Sequence, residues 1–192
     1  QIKLSEKIIN ILKEYKENLE KNVKKEVENY LNVNYKQLID SNNLISSIKI
    51  EDDFNINYFD ENKELIGMSS ISAGMKQIVA ISLLWALKET TNRTIPVIID
   101  TPLGRIDYKN QINILKNYYP NASSQVIILP TDSEIDKDKF KYIEKNIATI
   151  YELKNISGVE TKINKINEVE KEVFNGWYIH FKRRWTFNCK DN

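Results

Sequence analysis

Residues 97–108 read VIIDTPLGRIDY, three β-branched residues running straight into an aspartate and a threonine. A short apolar run bounded by Pro96 on one side and by the turn Thr101-Pro102-Leu103-Gly104 on the other reads as a fully buried strand. Asp100 then stands at the strand's carboxyl end, the edge at which open α/β sheets bind ligands. A carboxylate in that place has two readings, a ligand-binding group or a cap for the following turn. The stretch by itself leaves both open.

Working outward, helix and strand patterns alternate from residue 71 onward. Ser72 to about Glu89 reads as a helix apolar on nearly all sides, Ile95 to Ile99 as a strand, and Tyr108 to Tyr118 as a helix with Ile112 and Leu115 inward. Gln125 to Leu129 (QVIIL) reads as a second buried strand, Lys137 to Lys145 as a helix and Ile147 to Leu153 as a third strand. Alternation of this kind predicts right-handed crossovers and a largely parallel sheet. Upstream, Ile48, Ile50, Phe54, Ile56 and Tyr58 alternate with polar residues around the turn-rich DENKE, as in antiparallel strands. In the first segment Ile8, Leu12, Tyr15, Leu19, Val23, Val27 and Tyr30 recur at spacings of 4, 3, 4, 4, 4 and 3. That is a long amphipathic helix, expected to dock on a globular body and able to continue into a coiled coil. Because the sequence opens at Gln1 within this helical pattern, the expectation is the C-terminal part of a longer polypeptide.

Composition narrows the classes. The chain has 192 residues, 41% hydrophobic, enough for one domain with a core and an extension. With 28 Lys and Arg against 27 Asp and Glu, net charge neither predicts nor excludes a nucleic-acid partner. A single cysteine, Cys189, rules out an internal disulfide framework. The longest apolar run, Ile78 to Leu87, is too short to span a bilayer, and no secretory signal pattern opens the sequence, so the expectation is a cytoplasmic chain without a membrane contact. The Asn, Lys and Ile bias reads as compositional drift. In the tail, Trp177, Tyr178, Phe181, Trp185 and Phe187 interleave with Lys182, Arg183 and Arg184. This pattern suits base stacking and phosphate contact, or else an edge strand, a helix dock or a chain end. His180 and Cys189 together are too few for a zinc site.

The stretch ISAGMKQIVAISLLWAL supplies the other half of a site. Ser72 can cap the helix, and Gly74 leaves its first turn without a side chain. Free N–H groups at the positive end of the dipole then suit an anion such as phosphate. An ordinary capped helix fits the same residues.

Taken in order, ISAGMKQIVAISLLWAL, VIIDTPLGRID and QVIILPTDSEI resemble the DndD family, the SMC-like ATPases of DNA sulfur modification (phosphorothioation), over roughly residues 44–155. The resemblance implies an α/β, P-loop NTPase-like fold of the ABC/SMC head type, here its C-terminal lobe with a mainly parallel sheet preceded by a long amphipathic helix. Residues 1–43 would be a helical arm, 44–157 the lobe and 158–192 a tail. It implies that Ser72, Ala73, Gly74, Lys76 and Gln77 form a signature motif contacting ATP held by the opposite head. Asp100 would be the Walker B carboxylate, holding Mg²⁺ directly or through water. Gly104, Arg105 and Asp107 would form the D-loop, and Thr131 and Asp132 the switch.

Most cassette ATPases carry a glutamate after the Walker B aspartate and a histidine in the switch. Here Thr101 and Thr131 stand in those places, and neither hydroxyl is a base near neutral pH. The resemblance then implies a slow, switch-like ATPase in which Thr101 positions water and Asp132, Glu134 or a partner residue stands in for the base. The chain contains no G-x-x-x-x-G-K-[ST] loop to cradle the α- and β-phosphates. ATP hydrolysis is therefore expected only when a Walker A lobe of the same polypeptide completes the head. The implied partners are that lobe, a second copy in an ATP sandwich, DNA and other DNA sulfur modification proteins. Two further readings stand beside this one: an SMC-like DNA repair or phage-defence ATPase without sulfur chemistry, and a structural clamp whose ATPase has decayed.

Overall fold

The computed structural model describes residues 2–40, 44–91, 93–131, 133–158, 160–166 and 177–182. The deciding strand is β4, Val97–Asp100, which ends on the aspartate. It pairs in parallel with β5, Gln125–Leu129, from Val97 opposite Val126 to Asp100 opposite Leu129. The crossover between them is helical: Tyr108–Asn113 (α3), a π-helical turn over Ile114–Tyr118, and Tyr119–Ala122 (α4). Ile114, Leu115, Tyr118 and Tyr119 turn into the core.

Beyond β5 the pairing departs from expectation. The third strand, β6 (Ile147–Asn155), runs in the same direction as β4 and β5 but does not lie beside them. Strand β8, Trp177–Lys182, sits between β5 and β6 and is antiparallel to both, while β7, Thr161–Ile166, lies antiparallel on the far edge of β6. The core strands are thus parallel in direction, whereas only β4 and β5 are parallel neighbours. The tail segment, expected as an edge strand or chain end, supplies an interior strand, because its backbone completes the hydrogen bonding of both β5 and β6. Arg183, Arg184, Trp185, Phe187 and Cys189 of the aromatic-basic tail lie outside the described residues.

A second correction concerns burial of β4. Ile98 is 66% exposed, not buried. Among the described residues β4 is the outer strand of its sheet. One of its faces opens on a groove of about 400 Å³ lined by Leu84, Leu87, Ile95 and Ile98 and floored by Trp85. The groove's other wall is helix α2, Ala73–Thr91, whose Ile78, Val79, Ile81, Trp85 and Ala86 are buried. Trp85 meets Tyr118 edge-on, ring centroids 5.5 Å apart.

The N-terminal helix α1, Ile2–Leu38, has 37 residues and is therefore about 55 Å long. Only Val27, Leu31, Tyr35 and Leu38 of its apolar stripe are buried. Ile8, Leu12, Tyr15, Leu19 and Val23 are exposed, so the docking expected along the whole stripe is confined to its last turns. Helix α2 and the small antiparallel sheet of β1 (Ser47–Ile50), β2 (Ile56–Phe59) and β3 (Leu65–Ile66) form the body it docks on, and Lys24 pairs with Asp52 of the β1–β2 turn.

Polar side chains complete that junction. Asn32 donates to the Ile48 carbonyl at 2.7 Å and accepts from the Ile48 N–H at 2.8 Å, as a neighbouring strand would, and Glu28 accepts from the Ile50 N–H at 2.7 Å. The edge of β1 is thereby covered. At the end of α1, three asparagines on one face of the α3 segment bind groups that a helix C-terminus leaves open. Asn110 accepts from the Asp40 N–H at 2.8 Å, Asn113 donates to the Leu38 carbonyl at 3.4 Å and Asn117 to the Gln37 carbonyl at 2.9 Å. The asparagines read as drift in the sequence are here structural. Replacing buried Asn110 with alanine removes its bonds to the Asp40 N–H and to Asp107 and should cost about 1–3 kcal/mol in urea unfolding, against a few tenths for the exposed Asn18→Ala.

Four tyrosines of the core carry a pH signature. Burial pushes the Tyr118 phenol up to about 12 and raises those of Tyr35, Tyr58 and Tyr119 above the usual 10.0. In each the folded state keeps the proton more tightly than the unfolded chain. Stability is therefore at its full value below pH 10 and is lost as pH climbs from 10 toward 12, where only the unfolded chain ionises. Urea midpoints measured from pH 8 to 11.5 should fall above pH 10, and Tyr118→Phe should flatten part of that fall.

Candidate functional site at the carboxyl edge of the parallel pair

Because β4 and β5 end in register, the loops that follow them leave the sheet side by side. Asp100 closes β4, and the Thr101 N–H extends the ladder by one bond, donating to the Leu129 carbonyl at 3.1 Å. Thr131 follows β5 by two residues. The edge thus brings Asp100, Thr101 and Thr131 together; Asp132 lies outside the described residues. Asp100 is exposed, and no donor among the described residues reaches its carboxylate. It does not cap the turn. Among the described residues no three His, Cys, Asp or Glu side chains gather as a metal cage. A Mg²⁺ ion here would take Asp100 with waters and phosphate oxygens, the sparse protein coordination that ion prefers.

The loop after β4 is held in an uncommon conformation. Thr101 has φ +46° and Arg105 φ +64°, the left-handed region, which is costly for a β-branched residue. Its backbone is gripped from the core. The buried Tyr119 hydroxyl donates to the Pro102 carbonyl at 3.0 Å, and Gln111 Nε2 donates to the Leu103 carbonyl at 3.0 Å and the Ile106 carbonyl at 2.8 Å. Glu134 Oε1 accepts from the Leu103 N–H at 2.8 Å. Asp107 ends the loop as the N-cap of α3, accepting from the Asn110 N–H at 3.2 Å and from Asn110 Nδ2 at 2.5 Å.

The N-terminus of α2 closes the site from the other side. Ser72 Oγ accepts from the Met75 N–H at 3.2 Å and its carbonyl from the Lys76 N–H at 3.0 Å, the cap expected from the sequence. Ala73 and Lys76 are exposed, Gly74 and Gln77 half-buried. Gly74 does more than clear the first turn: a Cβ there would stand 2.4 Å from the Arg105 carbonyl oxygen. Helix and loop touch backbone to backbone at this point, and only glycine permits it.

Two acids and a lysine define the site less obviously. Glu134, weighed in the sequence as a stand-in base, is buried with both oxygens engaged. Oε2 accepts from the Thr131 N–H at 2.8 Å and from Thr131 Oγ1 at 3.1 Å, while Oε1 takes Leu103. Three of the four acceptor sites of this buried carboxylate are thus taken by the protein. Lys139, also buried, donates to the Glu134 carbonyl at 2.8 Å and stands 4.0 Å from Asp136. Gln111, Tyr119 and Lys139 were not singled out in the sequence, since nothing in their local spacing marks a long-range partner. Gly74→Ala should lower stability by about 1–3 kcal/mol in chemical denaturation and displace the Arg105 carbonyl. Ala73→Gly should leave that contact in place, as an amide chemical-shift map would show.

No protein-family model and no curated relative matches this sequence. Solved structures do. At 14% identity and a TM-score of 0.57, 80% of the chain aligns with 91% of an SMC ATPase from work on the ATP-driven dimerization and DNA-stimulated activation of these enzymes. At 16% identity and a TM-score of 0.63, 84% of the chain aligns with the Smc head domain with coiled coil and joint from Pyrococcus yayanosii. At 16% and 0.62, 82% of it aligns with an SMC head bound to the C-terminal winged-helix domain of ScpA. The chain spans 30% and 47% of the length of those last two structures. The α/β fold of this chain, with its long N-terminal helix and parallel strand pair, is thus that of SMC ATPase heads, a P-loop NTPase fold.

Proposed function

We propose that this chain is the C-terminal part of an SMC-like ATPase head of the DndD type, which couples ATP binding and slow hydrolysis to DNA handling during phosphorothioation. The observation that carries the ATPase reading is the exposed Asp100 carboxylate, at the carboxyl edge of a parallel pair, beside a capped helix N-terminus that touches its loop. Asp100 would hold Mg²⁺, which when bound neutralises phosphate charge. Ser72, Gly74 and the first N–H groups of α2 would meet the γ-phosphate of a nucleotide on a second copy. Gly104 and Arg105 would face that copy. Thr101, in its left-handed conformation, would orient water without deprotonating it, and Thr131, its hydroxyl given to Glu134, is not a base either.

Two features support a Walker A lobe as the missing partner. The chain lacks a phosphate-cradling loop. The open face of β4 and α2 leaves Leu84 62%, Ile95 53% and Ile98 66% exposed, an apolar surface beside an unpaired strand edge that a further strand and helix would cover. The uncovered stripe of α1 likewise supports a coiled-coil partner for the arm.

The full-length polypeptide should hydrolyse ATP slowly, and Asp100→Asn should lower turnover on the order of a hundredfold or more. The isolated 192-residue chain should show none. Unchanged turnover in Asp100→Asn would remove Asp100 from the metal role. The sulfur reading is tested separately, by mass spectrometry of digested genomic DNA with and without the gene. Phosphorothioate-linked dinucleotides should disappear on deletion; if they persist, the repair or defence ATPase takes its place.

A further inference from the structure

Glu134 makes a contact pattern that neither a base nor an ordinary surface acid would make. Its two oxygens serve two different loops: Oε1 accepts from the Leu103 N–H of the loop after β4, and Oε2 from the N–H and hydroxyl of Thr131 after β5. Its own backbone is fixed at both ends, the N–H donating to the Thr131 carbonyl at 3.0 Å and the carbonyl accepting from buried Lys139. Gly104 lies under it, where a Cβ would approach Oε1 to 3.7 Å. The loop it grips is the one whose Arg105 carbonyl rests against Gly74 of α2.

We propose that Glu134 is a positioning residue that locks the Asp100–Arg105 loop and the Thr131 loop into one unit, so that the aspartate, the D-loop and the switch keep a single relative geometry during ATP hydrolysis. The proposal rests on the ATPase reading above and adds the residue that holds its parts in register. A single carboxylate receiving three donors from two loops removes their independent motion, and pre-organisation of this kind acts on the chemical step. Glutamine has the same shape but only one accepting oxygen. In Glu134→Gln the amide must turn its NH₂ toward either the Leu103 or the Thr131 N–H, so the bridge breaks and both loops lose the anchor they share.

The test uses the full-length polypeptide, with steady-state ATP hydrolysis and amide hydrogen exchange measured on the same samples. Glu134→Gln should lower kcat about tenfold or more with KM within twofold, while Leu103 and Thr131 lose exchange protection together and α2 keeps its own. The exposed Glu144→Gln should change neither. A raised KM at unchanged kcat, or loss of protection confined to one loop, overturns the proposal. If α2 also opens in Glu134→Gln, Lys139→Met replaces it. That variant removes the donor to the Glu134 carbonyl together with the charge beside Asp136 and over the Tyr108 ring, and it should move the same two amides and lower kcat, with no change in either again overturning the proposal. Absence of turnover in the unmutated protein, with DNA present, overturns the ATPase reading and with it any role in hydrolysis. Independent exchange of the two amides overturns the brace itself, whatever the ATPase does.

Discussion

The parallel pairing of β4 with β5, ending with Asp100 opposite Leu129, is the constraint on which the rest of the molecule depends. Parallel neighbours need a crossover, so the chain between them must form the helical segment that carries Tyr118, Tyr119 and the three asparagines. Strands that stop in register send both following loops to one edge, and the site is assembled there from residues some thirty positions apart in sequence. The strained Thr101 and Arg105 are tolerated because Tyr119, Gln111 and Glu134 hold Pro102, Leu103 and Ile106 beside them from the buried side.

Attachment of the arm follows a different logic. The apolar stripe of α1 is buried over its last turns only, and the junction is finished by amide side chains: Asn32 against β1, and Asn110, Asn113 and Asn117 against the helix end. Asn110 is shared, since the side chain that accepts from Asp40 also donates to Asp107 at the end of the loop after β4. Asp40, two residues past the end of α1, and the capping residue of α3 therefore hang on one amide. Directional bonds of this kind fix the angle at which a long helix leaves a small body, which apolar packing alone specifies less sharply.

Much of the local structure was legible because periodicity is a local property. The strand Gln125–Leu129 has the bounds its apolar run predicts, and α2 and its Ser72 cap stand where expected. What was not legible was order and exposure. β8 lies between β5 and β6 because it pairs with both, and no pattern within residues 177–182 announces those neighbours. Ile98 and the stripe from Ile8 to Val23 look like core residues by spacing, and they are exposed because no element among the described residues packs over them.

The sequence by itself determined which segments become helices and strands, that a carboxylate ends a strand, and that a glycine sits at the start of an apolar helix, since each follows from side-chain period and backbone preference. Tertiary structure alone decided what those residues meet. Gly74 is required by an Arg105 carbonyl that arrives from the far side of β4. Glu134 is withdrawn from solvent by two loops that the parallel pair brings together. Such contacts depend on strand register and layer packing, which sum over the whole chain and leave no mark in the spacing of any single stretch.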